Sequence, residues 1–231
     1  MLHSESPLFR TMDIAQAARK IKEIVPKDIT ILAATKARAV AEIEKAINAG
    51  ITDIGENYVQ EAETKYPLLK GKARLHLIGH LQKNKAKLAV DLFDTIQTIG
   101  SLELATEVNR RAKNAGKVIL VLIEINSGKE QNKDGIHPEE VLGLAKGIAA
   151  MPNLLLRGLM TMAPYSPDPE NARPFFRKTK QLFDQLKSLN LPNTAIDTLS
   201  MGMSDTYRIA IEEGATMVRI GSGIFGERKI I

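Results

Sequence analysis

Apolar strand-like runs alternate with amphipathic helical runs along this 231-residue chain, and no other feature constrains its fold so strongly. A strand, a helix and a strand repeated in that order build a parallel sheet, because each crossover returns right-handed over the same face. The first helical run is Asp13 to Val25, with Ile14, Ala17, Ala18, Ile21 and Val25 at helical spacing and Pro26 as its stop. Ile29 to Ala34 then reads as a strand ending at Thr35-Lys36, followed by a helix from Val40 to Asn48 closed by Gly50. Thr52 to Gly55, Arg74 to Ile78 and Thr95 to Ile99 are the next strands, with Asn57 opening a helix between the first two of them. Ser101 is an N-cap for a helix reaching Ala115, and Val118 to Ile125 is the most apolar and β-branched strand. Pro138 starts a helix, Leu154 to Met160 is a sixth strand, and Glu170 to Leu189 is a long helix. Ala195 to Leu199 and Thr216 to Ile220 complete the strands, with a helix from Ser204 to Glu213 between them.

About eight such repeats point to an α/β chain closed as a single-domain (β/α)8 TIM barrel. The alternative is an open doubly wound sheet, which the absence of a G-x-G-x-x-G after the first strand weakens. No stretch reads as a linker, so residues 1–231 are expected to form one domain, with residues 1–10 a short lead-in. Met1 to Arg10 lacks the apolar segment of a signal peptide, and no apolar run reaches the length of a membrane span. With 44% hydrophobic residues the chain can bury a sizeable core. The absence of cysteine excludes disulfides and thiolate metal sites and allows a reducing, cytoplasmic location. A net charge of +5 favours anionic ligands such as phosphates. Nucleic acid is disfavoured by 4% aromatic content and no Trp, and the basic run Lys83 to Lys87 reads as a solvated helix start.

Barrel active sites lie where strands end and βα loops begin. Lys36 falls there, after the apolar stretch ITILAAT. Desolvation favours an uncharged amine, and an uncharged amine forms imines with aldehydes. A lysine pointing into solvent from a loop is the plain alternative. The loops after strands seven and eight carry Ser200, Gly202, Ser204, Gly221, Ser222 and Gly223, small residues that let backbone N–H groups approach a phosphate. Ser204 also starts an expected helix, whose N-terminus favours an anion. Arg219 shares a strand face with Gly221, and a buried Arg needs a partner: either an unprotonated ring nitrogen or an ordinary carboxylate. The four histidines show no metal-like spacing, His76 reads as a satisfied buried residue, and no serine-hydrolase elbow is present.

Six motifs in order extend this reading: AATK at Ala33 to Lys36, DIGENYVQE at Asp53 to Glu61, HLIGHLQKNK at His76 to Lys85, GLMTM at Gly158 to Met162, SMGMSDTY at Ser200 to Tyr207 and VRIGSGIFG at Val218 to Gly226. Together they resemble the pyridoxal phosphate homeostasis proteins, the YggS or PROSC family. The resemblance implies a barrel like the N-terminal domain of alanine racemase, of PLP fold type III, with pyridoxal 5′-phosphate held as an imine on Lys36. It implies Arg219 facing the pyridine nitrogen, phosphate held by Ser204, Gly221, Ser222 and Gly223, and a ring lined by Asn57 and Met201. Ser222 stands where many members have Thr, and nothing is carried over for Gly128 to Gly135. A racemase of this fold takes a second base from an additional β domain, and the chain is expected to lack one. The resemblance therefore implies a monomeric carrier or buffer of the cofactor in vitamin B6 and amino-acid homeostasis, exchanging with amino acids or cofactor-accepting apoenzymes and with little turnover. A racemase-like enzyme, an aldolase-like barrel acting through Lys36 and a nucleic-acid binder remain the rival expectations.

Overall fold

The computed structural model describes residues 13–131 and 133–227; the expected lead-in, residues 1–10, lies outside them. The first helix, α1 (Ile14–Ile24), is opened by Asp13, whose carboxylate accepts from Gln16 N at 2.9 Å while Gln16 Oε1 accepts from Asp13 N at 3.3 Å. This reciprocal pair satisfies two helix-start donors. Strands β1 (Thr30–Ala34), β2 (Asp53–Glu56), β3 (Arg74–Leu77), β4 (Thr95–Ile99), β5 (Ile119–Ile125), β6 (Leu154–Thr161), β7 (Thr194–Ser200) and β8 (Met217–Ile220) pair in chain order. All pairings are parallel, and β8 pairs back onto β1, with Leu32 opposite Arg219 on one side and Asp53 on the other. The sheet is thus a closed barrel, and the open-sheet alternative does not hold. Between the strands lie α2 (Val40–Asn48), α3 (Val59–Leu69), α4 (Ala86–Leu92), α5 (Leu102–Asn114), α6 (Val141–Ala149), α7 (Arg173–Ser188) and α8 (Tyr207–Glu212), and α9 (Ser222–Phe225) follows β8.

The apolar core has two parts. The larger lies between strands and helices and includes Ile43, Ile54, Ile96, Val121, Phe176 and Phe183. Phe176 is almost fully buried, and truncating such a ring typically costs about 3–5 kcal/mol. The lumen holds a small cluster of Leu32, Ile78 and Met217, with Ala34 packed on it. Gly55 belongs to this layer: a Cβ there would come within 2.5 Å of the Leu32 side chain and 2.9 Å of Ile78.

Several boundaries differ from expectation. Helix α8 starts at Tyr207, three residues later than Ser204, because Met203 O accepts from the amides of Thr206 and Tyr207 while Met203 N donates to Thr206 Oγ1. Those bonds make 203–206 a turn, so Ser204 is not at the start of that helix. Asn57 lies in the loop before α3, which begins at Val59. Glu170 falls in a short 3-10 turn, Pro169–Ala172, ahead of α7. The basic run does start a helix: Lys83–Lys85 forms a 3-10 turn leading directly into α4.

Candidate functional site

Lys36 leaves β1 on a tight turn. Arg38 N donates to Thr35 O at 3.1 Å, which closes a four-residue turn with Lys36 and Ala37 at its centre. Ala37 has φ 58°, a left-handed conformation usually reserved for glycine at the third position of a type II turn. Side chains from α3 hold this strained position. Glu61 accepts from Ala37 N at 2.6 Å, and Lys65 donates to Thr35 O at 2.9 Å. Lys65 is also paired with Glu56 at 2.8 Å and Glu61 at 2.7 Å, while the Thr35 hydroxyl donates to Glu56 at 2.6 Å. Burial pushes the Glu56 carboxyl above its ordinary range, against the Lys65 and Thr35 hydrogen bonds, and its Oε2 is buried without a partner. The Lys36 amine itself faces the ring of Tyr58, 4.8 Å from its centroid, and among the described residues no hydrogen bond or ion pair engages it. The ring face, rather than the phenol hydroxyl, meets the amine.

Arg219 points into the lumen and is 4% exposed. Its Nη1 donates to Ser200 Oγ and its Nη2 to Thr161 O, both at 2.8 Å. The chain of bonds continues: Ser200 donates to Gln97 Oε1 at 2.8 Å, Gln97 Nε2 meets His76 Nδ1 at 3.0 Å, and His76 Nε2 meets Asp53 Oδ1 at 2.9 Å. Arg74 donates to both Asp53 oxygens at 2.7 Å. Burial pushes the Asp53 carboxyl up, but hydrogen bonds from His76, Arg74 and Thr52 overrule it and hold the group well below the usual carboxylate range. Burial lowers the Arg219 guanidinium to about 10, opposed by the charge of Glu124, so Arg219 stays a cation at neutral pH. Two of its five donors are engaged by Ser200 and Thr161, and no carboxylate lies within ion-pair distance among the described residues, so the ordinary ion pair expected as one alternative is absent.

Across the seam from Lys36, Ser204 Oγ accepts from Gly221 N at 3.3 Å and Gly223 N at 3.2 Å. These two amides and one hydroxyl converge at the rim, beside the start of α9. A Cβ on Gly223 would stand 3.0 Å from the Ile220 side chain and 3.7 Å from Ser204 Oγ, so a larger residue would fill the cradle. Gly202 acts on the backbone instead. With φ +87°, it turns the chain where a Cβ would lie 2.5 Å from Ala210. Ser222 is exposed, Asn57 is half-buried with its backbone under Gly79, and Met201 is fully buried in the outer core. A donor-only Arg, a free amine and a small-residue anion cradle on one rim fit a phosphate-bearing ring aldehyde.

Sequence reading missed Glu124, the one acid in the apolar strand β5. It is 5% exposed, and burial and the charge of Asp134 push its carboxyl up to about 7 while Arg219 pulls it down. The anchoring set of Glu56, Glu61 and Lys65 and the lumen bonds of Gln97 and Asp53 were missed as well. A lone acid in a β-branched run was a readable signal for Glu124; the i,i+4 pair Glu61 and Lys65 looks like any solvated helix pair.

Residues 11–229 match the family model for the alanine racemase N-terminal domain. A pyridoxal phosphate homeostasis protein of Haemophilus influenzae is 43% identical over 203 residues, covering 87% of this chain and 85% of that protein. This chain belongs to the pyridoxal phosphate homeostasis protein family. Among solved structures it is similar to PipY of Synechococcus elongatus, solved with PLP bound: TM-score 0.84, 30% identity, 92% of this chain and 100% of that one. An alanine racemase of Clostridium difficile shares the fold, with TM-score 0.81 at 19% identity, and this chain spans 57% of its length.

Proposed function

We propose that this chain binds pyridoxal 5′-phosphate at the barrel mouth and carries or buffers it in vitamin B6 and amino-acid homeostasis, with no substantial turnover. In this reading Lys36 Nζ is the covalent tether and Arg219 faces the ring nitrogen. Ser204, Gly221, Ser222 and Gly223 hold the phosphate, and Asn57 and Met201 back the ring. The observation that carries it is the Lys36 amine, free of any hydrogen bond or ion pair among the described residues, on the rim that also holds the convergent amides of Gly221 and Gly223. The names of the relatives and the cofactor in PipY support it.

When bound, this cofactor supplies an electrophilic aldehyde, a basic ring nitrogen and a phosphate dianion. The turn at Thr35–Arg38 aims the Lys36 amine, and its anchoring by Lys65 and Glu61 fixes that aim. Arg219 can only donate, so it holds a ring nitrogen unprotonated, which weakens that ring as a sink for carbanion electrons. The phenol of Tyr58 presents its ring face, rather than its hydroxyl, to the amine. That combination favours holding and release over catalysis. The same reading has the whole chain act as one barrel, as a cytoplasmic monomer that passes the cofactor to amines or apoenzymes. Among the described residues no helix is long and apolar enough to cross a membrane.

Borohydride reduction of the protein with pyridoxal phosphate, followed by peptide mapping, tests this. The label is expected on Lys36; a label on another lysine, or no visible band at all, overturns the site. Racemisation or transamination far faster than with free cofactor overturns the carrier role.

A further inference from the structure

A second feature of the same rim is a cavity of about 280 Å³ on the sector of β3, β4 and β5. It is lined by the His80–Asp134 pair, by Lys83 and Glu103, by the start of α5 at Ser101 and by Glu124. His80 Nδ1 stands 2.8 Å from Asp134 Oδ1, and Lys83 is paired with Glu103. Both pairs sit at the exposed edge. Glu124 differs: it is 5% exposed, it lines the cavity, and its carboxyl has no hydrogen-bond or ion-pair partner among the described residues. A buried carboxylate without a partner is costly, and a positive group brought into the cavity removes that cost. A metal ion is a poor candidate, since no group of three His, Asp or Glu side chains among the described residues could hold one. Cavities for drug-sized ligands run from roughly 300 to 1,000 Å³, so this one suits something smaller.

We propose that this cavity is a binding site for a small primary amine, which enters as its ammonium and pairs with Glu124. The amine's hydrogens can be shared with the Thr98 hydroxyl and the Asp134 carboxylate at the same wall. Primary amines are also the class that would compete with Lys36 for an aldehyde. The cavity would then hold an incoming amine on the opposite sector of the mouth from the Ser204 cradle. That last link rests on the function proposed above, whereas the binding of the amine does not.

The test is residue-specific. Cofactor-free, 15N-labelled protein is titrated with ethanolamine hydrochloride at about pH 8, against sodium chloride of matched ionic strength, and the amides of Gly100 and Gly135 are followed. Saturable shifts are expected, weakened at least roughly tenfold in Glu124→Gln and unchanged in Lys36→Ala. The variant's own spectrum reports whether it folds. As a check that needs no variant, wild-type binding should weaken at least roughly tenfold at about pH 5.5, where Glu124, facing Asp134 and Arg219, takes up its proton. Shifts that stay linear in concentration, or that ignore both Glu124→Gln and pH, would overturn the proposal. Borohydride labelling of Lys36 in the same samples reads the cofactor site separately. Loss of labelling with intact ethanolamine shifts sinks the cofactor reading alone, and the reverse pattern sinks this one alone.

Discussion

Arg219 and Ser200 meet at 2.8 Å inside the lumen, guanidinium to hydroxyl, and Ser200 in turn donates to Gln97. The hydroxyl both accepts and donates, so it sets the position of Arg219 relative to the rest of the lumen. Ser200→Ala removes both bonds and strands buried groups on each side. The expected loss of stability in urea unfolding is about 1–3 kcal/mol. Cofactor retention should weaken too, and Ser200→Thr should restore both. Unchanged unfolding and retention in Ser200→Ala would show that Arg219 is positioned by Thr161 alone.

Lys65 joins Thr35, Glu56 and Glu61 beneath the turn that carries Lys36. Lys65→Met leaves two carboxylates side by side, one of them buried, and removing one member of such a pair typically costs about 3–5 kcal/mol. Adding Glu56→Gln should recover part of that loss. Imine formation at Lys36, followed by visible absorbance, is expected to fall in the single variant and return in the double one.

Gly223 leaves room beside Ser204. Gly223→Val should lower retention of pyridoxal phosphate at least roughly tenfold while leaving labelling by unphosphorylated pyridoxal unchanged. Equal losses for the two aldehydes would mean that the glycine serves the backbone rather than a phosphate.

Glu124 and Asp53 give opposite pH signatures. Glu124 is raised to about 7 when folded, so between the unfolded carboxyl range near about 4.3 and 7 the native state keeps a proton that the unfolded state has lost. Its destabilising effect is absent below that window, grows through it and is complete above it. Glu124→Gln is therefore expected to be neutral near pH 4 and stabilising near pH 8 by up to about 3 kcal/mol. Asp53 is lowered when folded, so it stabilises above the unfolded range near about 3.9, and that stability is lost as pH falls through its folded value. Asp53→Asn should destabilise at neutral pH and matter progressively less in acid. Denaturant midpoints across pH separate the two groups.

The barrel was legible because its signal is repeated: each amphipathic helix and β-branched run restates the same period. Ser101 was readable as a cap because a capping side chain acts within its own turn. Lys36, Arg219 and the small residues of the last two loops were legible for a similar reason, since a strand end fixes which rim they reach. The polar lumen was not. Asp53, His76, Gln97 and Ser200 are spread over four strands, and only barrel closure brings them within hydrogen-bond reach of one another. The misplaced start of α8 has a local cause: Met203 O accepts from Thr206 N and Tyr207 N while Thr206 Oγ1 accepts from Met203 N, which makes a turn of 203–206 before the helix begins.

Strands β1 and β8 are first and last in the chain yet neighbours in the barrel, with Leu32 opposite Arg219. A ribosome synthesising this protein therefore exposes Lys36 long before Arg219. A site that needs both residues cannot form on a partly made chain, however long that chain waits beside free aldehyde. Occupancy by a ligand would be a molecular certificate that synthesis has passed the eighth strand and that the seam has closed.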